Sequence, residues 1–256
     1  MIPIEDDPCD VIGKAMRGQN ISHTELSQKS NLSSEEISAA LGGDTSPALL
    51  EKIAPCLGLS TQALIRLPSY YPDIGAPEGL EMIVSPFGHA GVNSYVISRG
   101  SDALVFDTGT DSAPILKYLT EKKLHTAAVI ITHAHHDHTA GIKDFGNTPI
   151  LMPEDMAHGV SYEYSGISIT ALDVSGHANP ARAYFHEGLS TPVCIVGDSI
   201  FAGSMGGTKE PASYELALNT VRENILPLPA ETIIGTGHGP LTSIAMEMAN
   251  NPFLAE

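Results

Sequence analysis

The stretch VIITHAHHDHTAGI, residues 129–142, holds four of the chain's 11 histidines. The apolar run at 128–131 predicts a strand that is covered on both faces, and the polar residues begin where it ends. Side chains placed just past a strand end stand on a rigid support beside open space. His133 and His135 are two residues apart. In an extended segment they point the same way, so they can bind one metal ion together.

The second half of this motif can face a second metal ion. Asp137 and His138 follow at the point where the chain turns, whereas His136 is predicted to point away. Neutral imidazoles and a carboxylate suit zinc, and iron or manganese are the alternatives. The motif therefore predicts a site for one or two divalent ions.

Three further candidate ligands follow apolar runs later in the chain. Each one stands at a boundary between a predicted strand and a loop: His177 in DVSGHANP, Asp198 in CIVGDSIF and His238 in IIGTGHGP. This repeated placement argues against a polar loop that binds metal adventitiously. The sequence therefore predicts one metal centre built from four separate segments.

These motifs, in this order over residues 80–256, resemble the metallo-β-lactamase fold in its glyoxalase II-like branch. The end of the chain, from GDSIFAGSMGG to NPF, is similar to the short bacterial hydrolases of that branch. The resemblance implies an α/β fold of four layers, αββα. It assigns one metal ion to His133, His135 and His177, a second to Asp137, His138 and His238, a bridging position to Asp198, and support of the metal loop to Asp107 in LVFDTGT.

The resemblance implies a metal-dependent hydrolase that acts on a thioester such as S-lactoylglutathione or a related acyl-thiol. In that family a hydroxide held between two divalent ions, most often Zn, attacks the carbonyl carbon. Asp137 would be the catalytic residue that accepts a hydrogen bond from the hydroxide and orients it. Lys143 and Tyr184 are the candidates for binding the substrate, with Arg182 and Lys209 as further cationic groups.

The sequence leaves other reactions of the same fold open. Gly206 and Gly207 stand where many relatives have a glycine-arginine pair, which weakens any assignment of substrate. One alternative is a mononuclear iron enzyme resembling persulfide dioxygenase, which would use His133 and His135 with Asp198. A lactonase or a phosphodiesterase is a further alternative.

Residues 1–67 have a different pattern, which predicts about five short helices. Two capping boxes begin helices here, Ser22 with Glu25 and Ser33 with Glu36. The stretch at 21–43 resembles the helix-turn-helix of phage repressors and the similar small domain of cyanase. Residues 68–79 are rich in proline, glycine and tyrosine and predict a linker. We therefore expect a small all-α domain at 1–67 and a hydrolase domain at 80–256.

Composition argues against nucleic acid as a partner. Lys and Arg number 13 and Asp and Glu number 30, so the formal net charge is −17. An acidic surface repels a polyanion. The predicted recognition helix opens with Glu35 and Glu36 close behind its cap, where phosphates would lie. A DNA-binding regulator that senses a metabolite remains the alternative from another functional class.

The remaining features predict a cytoplasmic enzyme of small-molecule substrates. No apolar run approaches the roughly 18–20 residues of a membrane span. The first residues, MIPIEDDPCD, lack the pattern of a secretory signal, and three cysteines are too few for a disulfide framework. A homodimer is expected because it is the commonest assembly, with the helical segment as an oligomerisation or lid element.

Overall fold

The structure, a computed structural model, describes residues 2–87 and 90–255. Its N-terminal part contains the five predicted helices. Ser22 and Ser33 each accept a hydrogen bond from the backbone N–H three residues later, so both predicted capping boxes are confirmed. These helices are α1 (Pro8–Gln19), α2 (His23–Ser30), α3 (Ser34–Leu41), α4 (Pro47–Cys56) and α5 (Thr61–Arg66).

Five strands form the first sheet in the order in which they occur in the chain. The first strand pairs with the second, and the second with the third, in antiparallel fashion. The fourth strand pairs in parallel with both the third and the fifth. The elements are β1 (Leu80–Phe87), β2 (Ala90–Arg99), β3 (Asp102–Phe106), α6 (Ala113–Lys122), β4 (His125–Ile130), the single turn α7 (His136–Thr139) and β5 (Ile150–Leu151).

Six strands form the second sheet, and each lies beside the strands that precede and follow it in the chain. Its first and last strands in chain order are two that the sequence patterns did not predict. The elements are β6 (Ser161–Tyr164), β7 (Ile167–Asp173), β8 (Arg182–His186), β9 (Val193–Gly197), α8 (Pro211–Asn224), β10 (Ile233–Thr236), β11 (Thr242–Ser243) and α9 (Ile244–Asn250).

The two sheets pack face to face, and helices cover their outer faces. Phe106 of the first sheet and Ile195 of the second belong to the apolar core between the sheets. Ile115 and Leu119 of α6 pack on the outer face of the first sheet. Val221 of α8 belongs to the core on the outer face of the second. This is the four-layer αββα arrangement, and the predicted fold class is confirmed.

The N-terminal helices share one hydrophobic core with the second sheet. Buried side chains of α1 and α4 belong to the same cluster as Cys194 and Val196 of β9. Tyr70, in the stretch predicted as a linker, also contributes its ring to this core. The helical segment is therefore part of the core that covers the outer face of the second sheet, with α1 against α8 and α5 against α9. Among the described residues, no helix has the length and apolar character needed to cross a membrane.

Candidate metal centre

The predicted ligands follow strands that end at the same edge of the sandwich. Strand β4 ends at Ile130, and its continuation carries His133 and His135 into the single turn of α7. Asp198 comes directly after β9. The loops after β7 and β10 supply His177 and His238. His136 is exposed and belongs to neither group of ligands, as the sequence predicted.

The first group brings three ring nitrogens together. His135 Nδ1 lies 3.0 Å from His133 Nε2 and also 3.0 Å from His177 Nε2. Asp198 completes this group, with Oδ2 at 3.4 Å from His177 Nε2 and 3.9 Å from His133 Nε2. Three imidazole nitrogens and a carboxylate oxygen that face one point form a donor set suited to a divalent cation.

The second group lies on the other side of Asp198. Asp137 Oδ2 is 3.4 Å from His238 Nε2 and 3.7 Å from His138 Nε2. Asp198 also reaches these histidines, with Oδ1 at 3.2 Å from His138 Nε2 and Oδ2 at 3.6 Å from His238 Nε2. The carboxylate of Asp198 therefore stands between two groups of ligand atoms, which is the arrangement expected of a bridging ligand.

Hydrogen bonds to the outward ring nitrogens orient four of the five histidines. An acceptor at Nδ1 keeps the proton on that nitrogen and directs the Nε2 lone pair into the site. The pairs are His133 with Thr132 Oγ1 at 3.1 Å, His138 with Asp107 Oδ2 at 2.8 Å, His177 with the Gly207 carbonyl at 2.8 Å and His238 with the Gly91 carbonyl at 2.8 Å.

Asp107 joins the end of β3 to the ligand segment after β4. Its backbone adopts a left-handed conformation with φ of 58°, which aspartate tolerates better than most residues. The buried carboxylate accepts hydrogen bonds from Thr132 N and Thr132 Oγ1, both at 2.8 Å, and from His138 Nδ1. These contacts place Asp107 behind His138, on the side of its Nδ1.

Two buried atoms of this centre have no hydrogen-bond partner among the described residues. They are His138 Nε2 and Asp198 Oδ1, which lie 3.2 Å apart but do not meet hydrogen-bond geometry. A buried polar atom without a partner costs about 1–3 kcal/mol. Burial alone would raise the pKa of Asp198, but His138 and His238 hold it well below its usual range, so this carboxylate is charged. An inward lone pair beside a buried negative charge fits a bound cation.

The histidines of the two groups differ in the charge that their surroundings favour. Burial lowers the pKa of His133 to about 3 and also lowers that of His177, so both rings are neutral. Burial alone would also lower the pKa of His238, but hydrogen bonds with Asp137 and Asp198 raise it to about 10. The second group, with two carboxylates close to its histidines, therefore favours positive charge.

The centre opens into a cavity of about 370 Å³ on the side of His135 and His177. Asn179, Lys209 and Ser213 also line it, so hydrogen-bond donors are present within reach of a ligand. Near the second group, the half-exposed ring of Phe87 lies 5.7 Å from the ring of His238, measured between centroids. A substrate at the metal centre would thus find polar groups on one side and an aromatic ring on the other.

The structure corrects the prediction that Tyr184 binds substrate. Its side chain is fully buried between the sheets, and its hydroxyl donates a hydrogen bond to the Ile131 carbonyl at 2.8 Å. Arg182 is held in an ion pair with Asp173 at 2.6 Å. Lys143 is exposed and is not among the residues that line the cavity. Of the four predicted groups, only Lys209 lies at the mouth of the centre.

Two residues near the centre have no counterpart in the sequence predictions. Phe87 follows no recognisable motif, because a single aromatic residue at the end of a strand is common. Lys14 belongs to α1, yet its Nζ lies 4.9 Å from the ring centroid of Phe201, whose ring in turn packs 5.5 Å from that of His238. The sequence patterns of the two separate segments do not predict such a contact.

Comparisons with known proteins agree with this architecture. A family model described as the metallo-beta-lactamase superfamily matches residues 88–151. The chain is 29% identical over 200 residues to the probable metallo-hydrolase YqgX of Bacillus subtilis, which covers 66% of this chain and 95% of that protein. It is 26% identical over 195 residues to the hydroxyacylglutathione hydrolase GloC of Haemophilus influenzae, covering 63% and 91%.

A solved structure shows the same arrangement of layers. The BLEG-1 B3 metallo-beta-lactamase matches with a TM-score of 0.61 at 25% identity, over 69% of this chain and 100% of that one. The chain therefore has the metallo-β-lactamase fold, with a helical segment packed on it and a candidate centre for divalent metal ions at one edge of its sheets.

Proposed function

We propose that this protein is a dinuclear metal-dependent hydrolase of thioesters, with S-lactoylglutathione or a related acyl-thiol as substrate. The observation that carries the proposal is the position of Asp198 between two groups of three ligands each. The similarity to a hydroxyacylglutathione hydrolase supports the choice of thioesters. Zinc is the proposed ion at both positions, because imidazole and carboxylate ligands suit it.

The residues of the chain would divide the work between binding ions and orienting water. When bound, two divalent ions lower the pKa of water and polarise a carbonyl oxygen. His133, His135 and His177 would hold one ion, and the second would rest on His138 and His238 with Asp137. The Asp137 carboxylate is half-buried beside both of these histidines. It would accept a hydrogen bond from the attacking water and fix its orientation.

The mouth of the centre offers a place for the substrate beyond its carbonyl group. Lys209 and Ser213 line the cavity beside His135 and can donate hydrogen bonds to a carboxylate on the thiol portion. A covalent mechanism through Cys194 is not proposed. That thiol lies inside β9, completely buried, and burial raises its pKa, so it is neither ionised nor accessible.

A panel of substrates tests the proposal. The purified protein, reconstituted with Zn²⁺, is assayed with S-lactoylglutathione, a simple acyl thioester, a lactone, a phosphodiester and a β-lactam. We expect the thioesters to be hydrolysed with kcat/KM at least about tenfold above the other classes, which corresponds to about 1.4 kcal/mol. A chelator should abolish this activity, and added Zn²⁺ should restore it.

Two outcomes of the panel would contradict the proposal. Thioester hydrolysis that survives complete removal of metal would show that the centre is not needed. Preference for the lactone, the phosphodiester or the β-lactam would retain the metal centre and change the substrate class. A preparation with iron alone that consumes oxygen with a persulfide would favour the dioxygenase alternative.

A further inference from the structure

One loop after β9 contains one candidate ligand of the centre and contacts another. This loop, residues 198–208, begins with the ligand Asp198, and its Gly207 carbonyl accepts the hydrogen bond that orients His177. The fit is close at Gly206, where a Cβ would lie 2.2 Å from the Asp198 carbonyl oxygen and 2.7 Å from His177 Nδ1. A small displacement of the loop would therefore change the direction of both ligands.

Helix α1 of the helical segment holds this loop from one side. Lys14 Nζ donates a hydrogen bond to the Met205 carbonyl at 2.9 Å and forms an ion pair with Asp6. The same ammonium lies 4.9 Å from the ring centroid of Phe201. The Lys14 side chain is only 14% exposed. With a carboxylate, a carbonyl and an aromatic face around it, this ammonium is committed to protein contacts and is not a free group for substrate.

A second close approach occurs one turn later in α1. A Cβ at Gly18 would lie 2.3 Å from the Tyr214 ring and 2.9 Å from Thr208 Oγ1, at the end of the loop. Only glycine permits this distance between the helix and the loop. Thr208 is buried at this contact. Helix α1 therefore touches the loop at both Met205 and Thr208.

The stretch that follows α5 holds the middle of the loop from another side. A Cβ at Gly203 would lie 2.4 Å from Leu67 Cδ1. The Gly203 N–H donates to Glu247 Oε2 at 2.9 Å, and Tyr70 donates its hydroxyl to Glu247 Oε1 at 2.6 Å. Burial raises the pKa of Glu247, which is completely enclosed by these contacts. The helical segment thus contacts the loop at three points along its length.

We propose that the N-terminal helical segment is a built-in part of the metal centre and that Lys14 is a positioning residue for it. This inference rests on the proposed function, since it assigns the segment a role in the same centre. Lys14 acts through the Met205 carbonyl on the loop, and through the loop on Asp198 and His177. Groups that hold metal ligands in place commonly change metal affinity by 10–100-fold when they are removed. The role needs no nucleic acid.

A pair of charge variants tests the proposal with cobalt as the probe. Co²⁺ is titrated into metal-free protein, and its visible absorption reports the geometry of the ligands. We expect Lys14→Met to raise the Kd for Co²⁺ at least about tenfold and to alter the absorption bands. Arg17→Met is the matched control. Arg17 is exposed, carries the same charge and has Nη2 3.9 Å from the Cβ position of Gly207, but it forms no hydrogen bond with the loop in the described residues.

A pair of steric variants tests the same contact without changing charge. Gly18→Ala forces α1 away from Tyr214 and Thr208, and we expect the same direction of change in Kd and absorption. Gly13→Ala is the control on the same helix, because its Cβ would meet only the flexible end of Arg17 at 3.3 Å. Circular dichroism confirms that each variant is folded, and Gly18→Ala decides the outcome if Lys14→Met does not fold.

The outcomes separate this inference from the proposed function. If the wild-type protein binds Co²⁺ and both Lys14→Met and Gly18→Ala match it in Kd and spectrum, the positioning role is overturned while the metal centre stands. If the wild-type protein binds no Co²⁺, the proposed function fails, and the positioning role fails with it. Changes in the two test variants, with unchanged controls, support the inference.

Discussion

Replacing Asp198 with alanine should lower kcat/KM for the thioester by at least about 10³-fold, which corresponds to about 4 kcal/mol. The reason is geometric, because this carboxylate approaches ligands of both groups. Its Oδ1 is 3.2 Å from His138 Nε2, and its Oδ2 is 3.4 Å from His177 Nε2. Every other ligand belongs to one group only. We therefore expect Asp198→Ala to weaken the binding of both ions, whereas a change at another ligand weakens chiefly the binding of one ion.

The matched control for this variant is His136→Ala. His136 lies in the same motif, but its ring is exposed and belongs to neither ligand group. We expect it to keep wild-type kcat/KM and metal content within a factor of about two. Steady-state kinetics and elemental analysis of the same preparations measure both effects. An Asp198→Ala protein that retained two ions and full activity would show that the carboxylate does not bridge them.

Replacing Asp107 with asparagine is expected to lower metal affinity by about 10–100-fold, although Asp107 belongs to neither group of candidate ligands. Asparagine tolerates the left-handed backbone of this position, so the turn is preserved. The expected loss of affinity comes from the amide group that replaces the carboxylate. Both carboxylate oxygens accept hydrogen bonds, one from Thr132 N and the other from Thr132 Oγ1 and His138 Nδ1. Whichever way the amide is placed, its NH2 group faces a donor, and the charge behind His138 is lost.

Asp102→Asn is the control for this variant. Asp102 lies at the opposite end of β3 and pairs with the exposed His125 at 3.3 Å, far along the strand from the ligands. We expect its metal affinity to equal that of the wild type. Competition with a chromophoric chelator gives the Kd for Zn²⁺ in each protein. Equal affinities for Asp107→Asn and wild type would show that Asp107 does not support the metal ligands.

The residues of the candidate centre could be picked out from the sequence because each part of the centre has a local signal. An apolar run ends, and a histidine or aspartate follows at the boundary with a glycine-containing turn. His177, Asp198 and His238 all have this placement, and the structure brings them together with the motif after β4. The capping serines of α2 and α3 are equally local, which is why those helix starts were predicted correctly.

Tyr184 shows where such reasoning fails. Strand β8 is buried on both faces, so the alternation that separates an inward from an outward residue is absent from its sequence. A phenol near the ligands in the chain can then equally face the core. The short strands β6 and β11 were not predicted because they contain no aliphatic residue, so no apolar run marks them in the sequence.

The docking of the helical segment had no signal in the sequence at all. Lys14 and Met205 are 191 residues apart, and neither belongs to a motif. The proline- and glycine-rich stretch at 68–79 predicted a linker, although Tyr70 within it is buried and bonded to Glu247. Contacts of this kind depend on the shapes of two surfaces that exist only when both parts of the chain have folded. The domain boundaries at 67 and 80 therefore stay predictions made from the sequence.

Anomalous X-ray scattering at the zinc absorption edge, from crystals of the reconstituted protein, would locate the ions of the proposed dinuclear centre. We expect two peaks about 3.5–4 Å apart. One should lie among His133, His135 and His177 and the other among Asp137, His138 and His238, with the Asp198 carboxylate between them. A map with no peak within these seven side chains, or with ions bound only elsewhere on the molecule, would contradict it.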